Sequence, residues 1–348
     1  MQRSPFRQLS ALAAVLMAGV AVLMAGVAAS LLGTAYAADI TLLNVSYDVS
    51  REFYKEINPA FAVHYKKLTG KGIKIDQSHA GSSAQARAVA DGLEADVVTM
   101  NTTTDVDFLA SRGLVSADWT KRFPHGAAPT TSTMLFLVRN GNPKNIRDWA
   151  DLVKPGVQVV VVNPKTGGNG RMAYLAAWGH MLEKGASAQQ AEDFVAKLYK
   201  NVPILAKGGR DATGIFLQRG IGDVLITFES EVISVDREFG AGKVDAIHPS
   251  ASIIAENPVA IVDRTVTKKG TADAAKAYLD FLYTEEAQEI AAKHGIRPRN
   301  EAVLKRYIST FKPLTLFAVA RHFGSLSEAQ KVHFNDGGKF DQLYTGGK

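Results

Sequence analysis

The sequence predicts an α/β protein of two lobes, each a sheet flanked by helices, with a ligand cleft between the lobes. Three observations lead to this prediction. The chain has 348 residues, which is long for a single hydrophobic core. Apolar runs rich in β-branched residues alternate with helical patterns. The alternation restarts after the irregular segment DWTKRFPHGAAPTTS (118–132), so we expect a second sheet.

The first lobe is predicted from strands and helices that alternate up to residue 100. The run ITLLNVSY predicts the first strand, and a helix with apolar residues at every third or fourth position follows until Gly70 ends it. GIKIDQS and ADVVTM predict two further strands. Between them, Ser82 and Gln85 predict a capping box for a helix through Leu93. Strands joined by helices in this way predict a parallel sheet with helices on both faces.

The second lobe is predicted from four more apolar runs, TMLFLVR, VQVVVV, VPILA and DVLITF. VDAIHPSASIIAENPVAIVD is interpreted as a connection back, followed by the strongly helical DAAKAYLDFLYTEEAQEIAAKHG. We therefore assign residues 38–125 and about 246–348, with a C-terminal helical tail, to the first lobe, and about 126–245 to the second. Tyr54, Tyr65, Trp149 and Trp178 fall at helical spacings and are expected in the cores.

The N-terminus is typical of an export signal. Arg3 and Arg7 precede a long apolar run without acids that ends in Ala35-Tyr36-Ala37, which predicts a signal peptide over residues 1–37 that is cleaved before Ala38. An uncleaved membrane anchor is the alternative, because the run is longer than a usual signal core. We expect the mature protein to lie free in a bacterial periplasm.

Composition excludes several classes of function. The chain contains no cysteine, which excludes thiol catalysis, Cys-ligated zinc and disulfides. Loss of two arginines and no acid with the signal lowers the formal charge from +6 to +4. This excess of positive charge suits small anions. The sequence has no basic stripe interleaved with aromatics, so it does not predict a nucleic-acid partner.

Four turns at predicted strand ends share a small, polar, glycine- or serine-rich character: SYDVSRE, SHAGSSAQ, NPKTGGNGR and KGGRDAT. Ligands of open α/β sheets bind at the carboxyl ends of strands. Free N–H groups at helix starts and in glycine turns bind anions without any lysine. Four such turns meeting in one cleft would bind an anion mainly through backbone donors, although each turn alone also fits a plain helix cap or tight turn.

Enzyme motifs are weak or absent. TGGNGR lacks the Gly-Lys-Ser/Thr ending of a phosphate loop and the glycine spacing of a dinucleotide site, and AGSSA is not a nucleophile elbow. The eight histidines are dispersed, so we expect neither a metal nor a cofactor. The remaining enzymatic alternative is an exported serine hydrolase that uses Ser82 or Ser83 with His79.

The assembled motifs resemble those of the periplasmic sulfate-binding proteins, the solute receptors of sulfate/thiosulfate ABC importers. The resemblance runs from about Asp39 to Tyr344 and rests on ordered motifs: LLNVSYD, IDQSHAGS, TSTMLFLVRNGNPK, DWADLVKPGVQVVVVNPKT, YLAAWG, RGIGDVL and HFNDGGKFDQ. It implies a two-lobed fold of the type II periplasmic-binding kind. It also implies a monomeric receptor that closes on a dehydrated dianion and delivers it to a membrane permease.

The resemblance also implies which groups hold the anion. These are the backbone amides of Asp48, Ser82, Gly168, Asn169 and Gly209. Behind them, Arg171 and Arg210 would fix the orientation of the turns without touching the ligand, with plain surface charge as the alternative. His79, beside Gly81 and Ser82, would brace its loop, with contact to the ligand as the alternative.

Two positions depart from the family pattern. Gly167 stands where the family usually has a serine hydroxyl donor, and Phe228 stands where it has a tryptophan indole donor. Thr166, the amide of Gly167, the Asn169 side chain or a water could compensate. The departures leave open sulfate, thiosulfate or another small anion. Phosphate or a small organic anion is the alternative, because the Asp48 carboxylate could accept a hydrogen bond from a ligand that carries a proton.

Overall fold

A four-stranded sheet and a five-stranded sheet organise the fold. The computed structural model describes residues 40–240 and 242–344, so the predicted signal peptide lies outside the described residues. The strands are β1 (Ile40–Tyr47), β2 (Ile73–Ala80), β3 (Val97–Thr99), β4 (Thr130–Ser132), β5 (Met134–Arg139), β6 (Val159–Val162), β7 (Leu205–Ala206), β8 (Val224–Phe228), β9 (Val244–Ile247), β10 (Ala251–Ile253), β11 (Ala255–Asn257), β12 (Val259–Ile261), β13 (Arg297–Pro298) and β14 (Thr315–Phe317).

Helices cover the faces of both sheets. They are α1 (Arg51–Thr69), α2 (Ser82–Ala90), α3 (Thr103–Ser111), α4 (Gly168–Glu183), α5 (Ala188–Lys200), α6 (Gly209–Leu217), α7 (Glu229–Phe239), α8 (Asp263–Lys269), α9 (Ala272–Phe281), α10 (Glu285–Lys293), α11 (Glu301–Arg306), α12 (Val319–Phe323), α13 (Leu326–Ala329) and α14 (Lys339–Leu343). Within residues 40–240 and 242–344, no helix is long and apolar enough to cross a bilayer.

The first sheet has the strand order β12-β3-β1-β2. Strand β1 runs parallel to both β2 and β3, with Tyr47 opposite Ala80 and Ser46 opposite Thr99. Because these partners are the last or next-to-last residues of their strands, the turns that follow lie at one edge of the sheet. Strand β12 is antiparallel to β3, so the predicted parallel sheet is correct except at this edge.

The second sheet has the order β7-β6-β8-β5-β9. Strand β6 is parallel to β7 and β8, whereas β5 is antiparallel to β8 and β9. Apolar side chains on both faces of this sheet are buried, which explains why β6 consists of four valines. The turns after β6 and β7 again lie at one edge.

A three-stranded sheet, β11-β4-β13, links the two main sheets. One residue separates β4 from β5 of the second sheet, and one residue separates β11 from β12 of the first. Since β4 and β11 pair antiparallel to each other, the chain crosses between the main sheets twice at the same place.

The C-terminal tail, which the sequence analysis assigns to the first lobe, packs against the helices of the second sheet. Phe334 stacks edge-on against Tyr174 of α4, with ring centroids 5.1 Å apart. Phe340 contacts Tyr199 of α5 at 5.3 Å. These rings are buried with Phe317 in the same core. Large aromatics contribute much of the buried apolar area. The tail therefore packs on the second sheet although the helices α8–α11 are nearer in sequence.

The predicted aromatic core residues are confirmed. Tyr54, Tyr65, Trp149 and Trp178 are each at most 6% exposed. Gly70 ends α1 with a left-handed φ of 73°, a conformation that glycine adopts without steric cost.

Candidate anion-binding site

The four glycine- and serine-rich turns come together where the two main sheets face each other. Gly81, before α2, is so close to the second half that a Cβ on it would lie 3.0 Å from the Thr166 carbonyl oxygen and 3.2 Å from that of Lys207. A Cβ on Gly208, before α6, would lie 2.6 Å from Asp48 Oδ2. Turns from both sheets therefore form a single cluster, which we call the donor cluster: Asp48, Ser82, Gly168, Asn169 and Gly209.

Backbone N–H groups in the donor cluster are free. Ser82, Gly168 and Gly209 are each the first residue of a helix of nine residues or more, where N–H groups have no partner within the helix. In the described part of the chain, neither these N–H groups nor that of Asn169 donates to any protein acceptor. The N–H of Asp48 likewise has no acceptor on another described residue. N–H groups at helix starts that no protein group accepts are available to a bound anion.

Gly168 needs to be glycine because other atoms come so close to its Cα. A Cβ there would overlap Asn101 Oδ1 and Thr102 Cγ2, both on the segment that follows β3 of the first sheet. The start of α4 is thus pressed directly against the opposite half of the cleft. Gly209 is similarly close to Val49 Cγ1, at 2.5 Å from a Cβ position.

The Asp48 carboxylate caps the start of α6. It accepts hydrogen bonds from the N–H of Arg210 at 3.0 Å and of Val49 at 3.0 Å. Burial raises the pKa of this carboxyl above its ordinary value, although both N–H groups oppose that shift. Its two oxygens are therefore already engaged within the protein.

Two of the predicted compensating donors are engaged elsewhere. The N–H of Gly167 donates to the Asn163 carbonyl at 3.1 Å. The Thr166 hydroxyl lies 3.2 Å from two carbonyl acceptors, those of Asn163 and Lys207. Both groups therefore have acceptors within the protein, from the turn before α4 and, for Thr166, also from Lys207.

The predicted capping box at Ser82 is wrong. Gly81 is the N-cap of α2 and makes no side-chain cap. Ser82 Oγ instead donates to Asp105 Oδ2 at 2.6 Å, and Ser83 Oγ donates to Asp105 Oδ1 at 2.8 Å. The carboxylate of Asp105, a residue that the sequence interpretation missed, draws both hydroxyls away from the helix backbone.

Arg171 joins the two halves of the cleft through Asp105. It rises from α4, and its Nη1 lies 3.2 Å from Asp105 Oδ1 on α3, with both side chains at most 7% exposed. The guanidinium also donates to Ser83 Oγ, Thr104 Oγ1 and the Pro164 carbonyl. Its positive charge is therefore paired beside the donor cluster, in a buried network that crosses between the two sheets.

The side chain of Arg210 contacts carboxylates of the second half. Its guanidinium pairs with Glu238, and its Nη1 lies 3.6 Å from Glu231 Oε1. Glu231 is buried and accepts a hydrogen bond from Thr213 Oγ1 at 2.5 Å. Burial raises the pKa of Glu231 to about 7 despite the nearby guanidinium.

His79 lies apart from both candidate serines. Its Nδ1 is 3.4 Å from the Tyr47 carbonyl, and burial lowers the pKa of its imidazole. In the described residues no hydrogen bond joins it to Ser82 or Ser83, whose hydroxyls are bound to Asp105. The arrangement lacks the nucleophile and base contact that a serine hydrolase needs.

Phe228 ends β8 with its ring 1% exposed. The ring belongs to the same apolar cluster as Tyr47 and Val49, on either side of Asp48. It offers no polar atom, as the sequence indicates.

A separate cavity of about 440 Å³ lies near the donor cluster without including it. Thr102, Met172, Glu256 and Arg299 line part of its wall. Arg299 is paired with Glu256 at 2.6 Å, so this cavity presents no uncompensated positive charge. The donor cluster is the better place for an anion.

Asn101 and Asp105 are site residues that sequence reasoning missed. Both belong to MNTTTD (100–105), the polar run after the third strand of the first sheet. The rule that ligands bind at the carboxyl ends of strands applies to this turn as well. Its lack of glycine made it inconspicuous beside the other four.

Known proteins resemble this chain along nearly its whole length. The family model for bacterial extracellular solute-binding proteins matches residues 43–297. The chain is 53% identical over 312 residues to a thiosulfate-binding protein of Pseudomonas aeruginosa, covering 89% of this chain and 94% of the relative. It is 51% identical over 308 residues to the sulfate-binding protein of Escherichia coli K12, covering 88% and 94%. Among solved structures, the sulfate-binding protein SubI from Mycobacterium tuberculosis H37Rv aligns with a TM-score of 0.76 at 33% identity, covering 83% of this chain and 99% of SubI.

Proposed function

This chain belongs to the family of bacterial extracellular solute-binding proteins, and from that premise we propose that it is a periplasmic receptor for sulfate or a close tetrahedral oxyanion such as thiosulfate. Relatives with those two names are 51% and 53% identical to it. The observation that carries the proposal is the donor cluster, whose free N–H groups come from the starts of three helices in both halves of the cleft.

The electrostatics of the cluster suit an anion without protons. Helix starts carry a partial positive charge, whereas the nearby guanidinium groups of Arg171 and Arg210 are already paired with carboxylates. A fully ionised sulfate or thiosulfate offers only acceptors, so a shell of N–H donors satisfies it completely. Donors that are fixed dipoles can release the ligand without breaking an ion pair.

Binding would join the two halves. Asp48 and Ser82 follow strands of the first sheet, and Gly168 and Gly209 follow strands of the second. We propose a first lobe of about residues 40–128 and 259–311, and a second lobe of about 130–257 and 315–343. The crossing strands β4 and β11 would act as the hinge. The lobes would close over the anion, exclude water and present it, as a monomer, to the membrane permease of an ABC importer.

Calorimetry on residues 38–348 tests the proposal most directly. We expect saturable heat with sulfate, thiosulfate or both at micromolar concentrations, and much weaker binding of phosphate and molybdate. No heat with sulfate and thiosulfate at millimolar concentration would refute it.

Phosphate is the second candidate because the Asp48 carboxyl lies beside the donors and has a raised pKa. Its oxygens already accept two backbone hydrogen bonds, which leaves it poorly placed to accept a third from a protonated ligand. Tighter binding of phosphate than of sulfate, abolished in Asp48→Asn, would favour phosphate instead.

A further inference from the structure

Two buried carboxamides lie in the candidate site with unused polar atoms. Asn101 is 3% exposed and Asn169 is 4% exposed. Within the described residues, the Oδ1 atom of each has no hydrogen-bond partner. A buried carbonyl oxygen without a donor costs free energy, so each position calls for an explanation.

Asn169 lies between the end of β8 and the start of α6. Its Nδ2 donates to Thr227 Oγ1 at 3.2 Å. The same nitrogen would be 3.6 Å from a Cβ on Gly209, whose free N–H belongs to the donor cluster. The side chain therefore stands beside two of the backbone donors, its own and that of Gly209.

Asn101 lies on the opposite half of the cleft, after β3. Its N–H is directed to Ser82 Oγ at 3.4 Å, and its Oδ1 is the atom that a Cβ on Gly168 would overlap. Its carboxamide therefore stands over the start of α4 and next to the start of α2. Asn101 and Asn169 thus flank the donor cluster from opposite sheets.

A carboxamide exchanges its oxygen and its NH2 group by a half turn about the Cβ–Cγ bond, with almost no change of shape. For Asn169 the half turn keeps the contact with Thr227, because a hydroxyl donates as readily as it accepts. The turn removes the unpartnered oxygen and presents an N–H donor in its place. An anion in the donor cluster would favour that orientation.

We propose that Asn101 and Asn169 complete the anion's shell as side-chain donors and set its specificity for fully ionised dianions. They would take over from the hydroxyl and indole donors that Gly167 and Phe228 lack. This inference rests on the proposed function and deepens it, since it assigns two side-chain ligands to the shell, one from each half of the cleft.

Calorimetry with sulfate and with thiosulfate tests the inference in Asn101→Ala, Asn169→Ala and Asn169→Asp. We expect each alanine variant to bind roughly ten- to a hundredfold more weakly, the loss typical of one hydrogen bond to a charged ligand. Asn169→Asp keeps the shape but carries only acceptors and a negative charge, so we expect a larger loss. Asn101→Ser and Asn169→Ser serve as replacements if an alanine variant does not fold, and the same loss is expected.

Gln330 provides a control outside both the donor cluster and the crossing strands, in the C-terminal tail. Its Nε2 donates to Asn335 Oδ1 at 3.2 Å, and its buried Oε1 also lacks a partner among the described residues. An unused carboxamide oxygen alone therefore does not mark a ligand, and Gln330→Ala should leave both affinities within about twofold of the wild type, well below the loss of one charged hydrogen bond.

The outcomes separate the two proposals. A wild-type protein that binds neither anion overturns the proposed function and this inference together. A wild-type protein that binds, with folded Asn101 and Asn169 variants within twofold of it, overturns this inference alone. Retained affinity in Asn169→Asp, or an equal loss in Gln330→Ala, overturns it as well.

Discussion

The starts of helices α4 and α6 each place an arginine beside the donor cluster, but the two arginines pair with different carboxylates. Both begin in a glycine turn after a strand of the second sheet, both leave N–H groups free, and both carry an arginine in the first turn. Arg171 of α4 is buried and crosses to Asp105 of the first half. Arg210 of α6 is 24% exposed and pairs with Glu238 and Glu231 of its own half.

The Arg171 side chain couples the two halves of the cleft, whereas the Arg210 side chain supports only its own half. Asp105 is the counter-charge of the buried Arg171 and belongs to the other half of the cleft. This ion pair therefore depends on the two halves being together. The Arg210 pairs persist whatever the first half does, because all three residues belong to α6 and α7. The Arg171 side chain thus links α4 to the first half, whereas α6 is linked to it through the N–H of Arg210 and the Asp48 carboxylate.

The largest effect should come from Gly168→Val at the start of α4. A branched side chain would overlap Asn101 and Thr102 and push the halves apart where the anion must be enclosed. We expect sulfate affinity to fall on the order of a thousandfold, about 4 kcal/mol, by calorimetry. Gly214→Ala within α6 is the control, since its Cβ meets no atom closer than 3.8 Å. Wild-type affinity in folded Gly168→Val would argue against the site.

Asp105→Asn should have the next largest effect, on stability. It leaves the buried charge of Arg171 without its counter-charge, which typically costs about 3–5 kcal/mol. Urea unfolding would measure the loss. Asp280→Asn, in the exposed Lys276 pair, is the control and should cost about 1 kcal/mol or less. Equal losses in the two variants would contradict the coupling role of α4.

Glu231 should make stability depend on pH. Its pKa is about 7 in the folded protein against 4.5 ordinarily, so between these values the folded state holds a proton that the unfolded state has released. The free energy of unfolding should therefore fall as pH rises from about 4.5 to about 7, by roughly 3 kcal/mol at most. Urea unfolding across this range should show the fall in the wild type and a weaker one in Glu231→Gln. The same slope in both proteins would exclude Glu231 as the cause.

The smallest effect should come from Glu238→Gln, in the Arg210 pair of α6. The two side chains are 24% and 30% exposed, so water screens the pair and its contribution should be about 1 kcal/mol or less. The melting temperature should change by about 4 °C at most. A loss as large as that of Asp105→Asn would remove the distinction between the two helix starts.

The family resemblance drawn from the motifs is confirmed by the relatives at 53% and 51% identity. The α/β fold class is confirmed by the match to SubI. Short motifs were enough to predict the family and the fold class, because glycines and prolines mark the turns and apolar runs of four to eight residues mark buried strands. The predictions of strands β1, β5, β6 and β8 needed only this local information.

The errors concern partners that are distant in sequence. Ser82 matched a capping box, yet Asp105, 23 positions further on, takes its hydroxyl. Thr166 stays a predicted donor, although the carbonyl of Lys207, 41 positions further on, lies within reach of its hydroxyl. No local pattern contains these contacts, because both arise where separate turns meet.

The sequence alone determined the strand and helix order, the turns rich in free backbone donors and the family, because these depend on residue types and spacing along the chain. Only the tertiary structure decided that Asn101 faces the start of α4, that Asp105 pairs with Arg171, and that the C-terminal tail covers the second core. These contacts join residues from different elements, and which of them form depends on how apolar faces pack and how buried charges find partners.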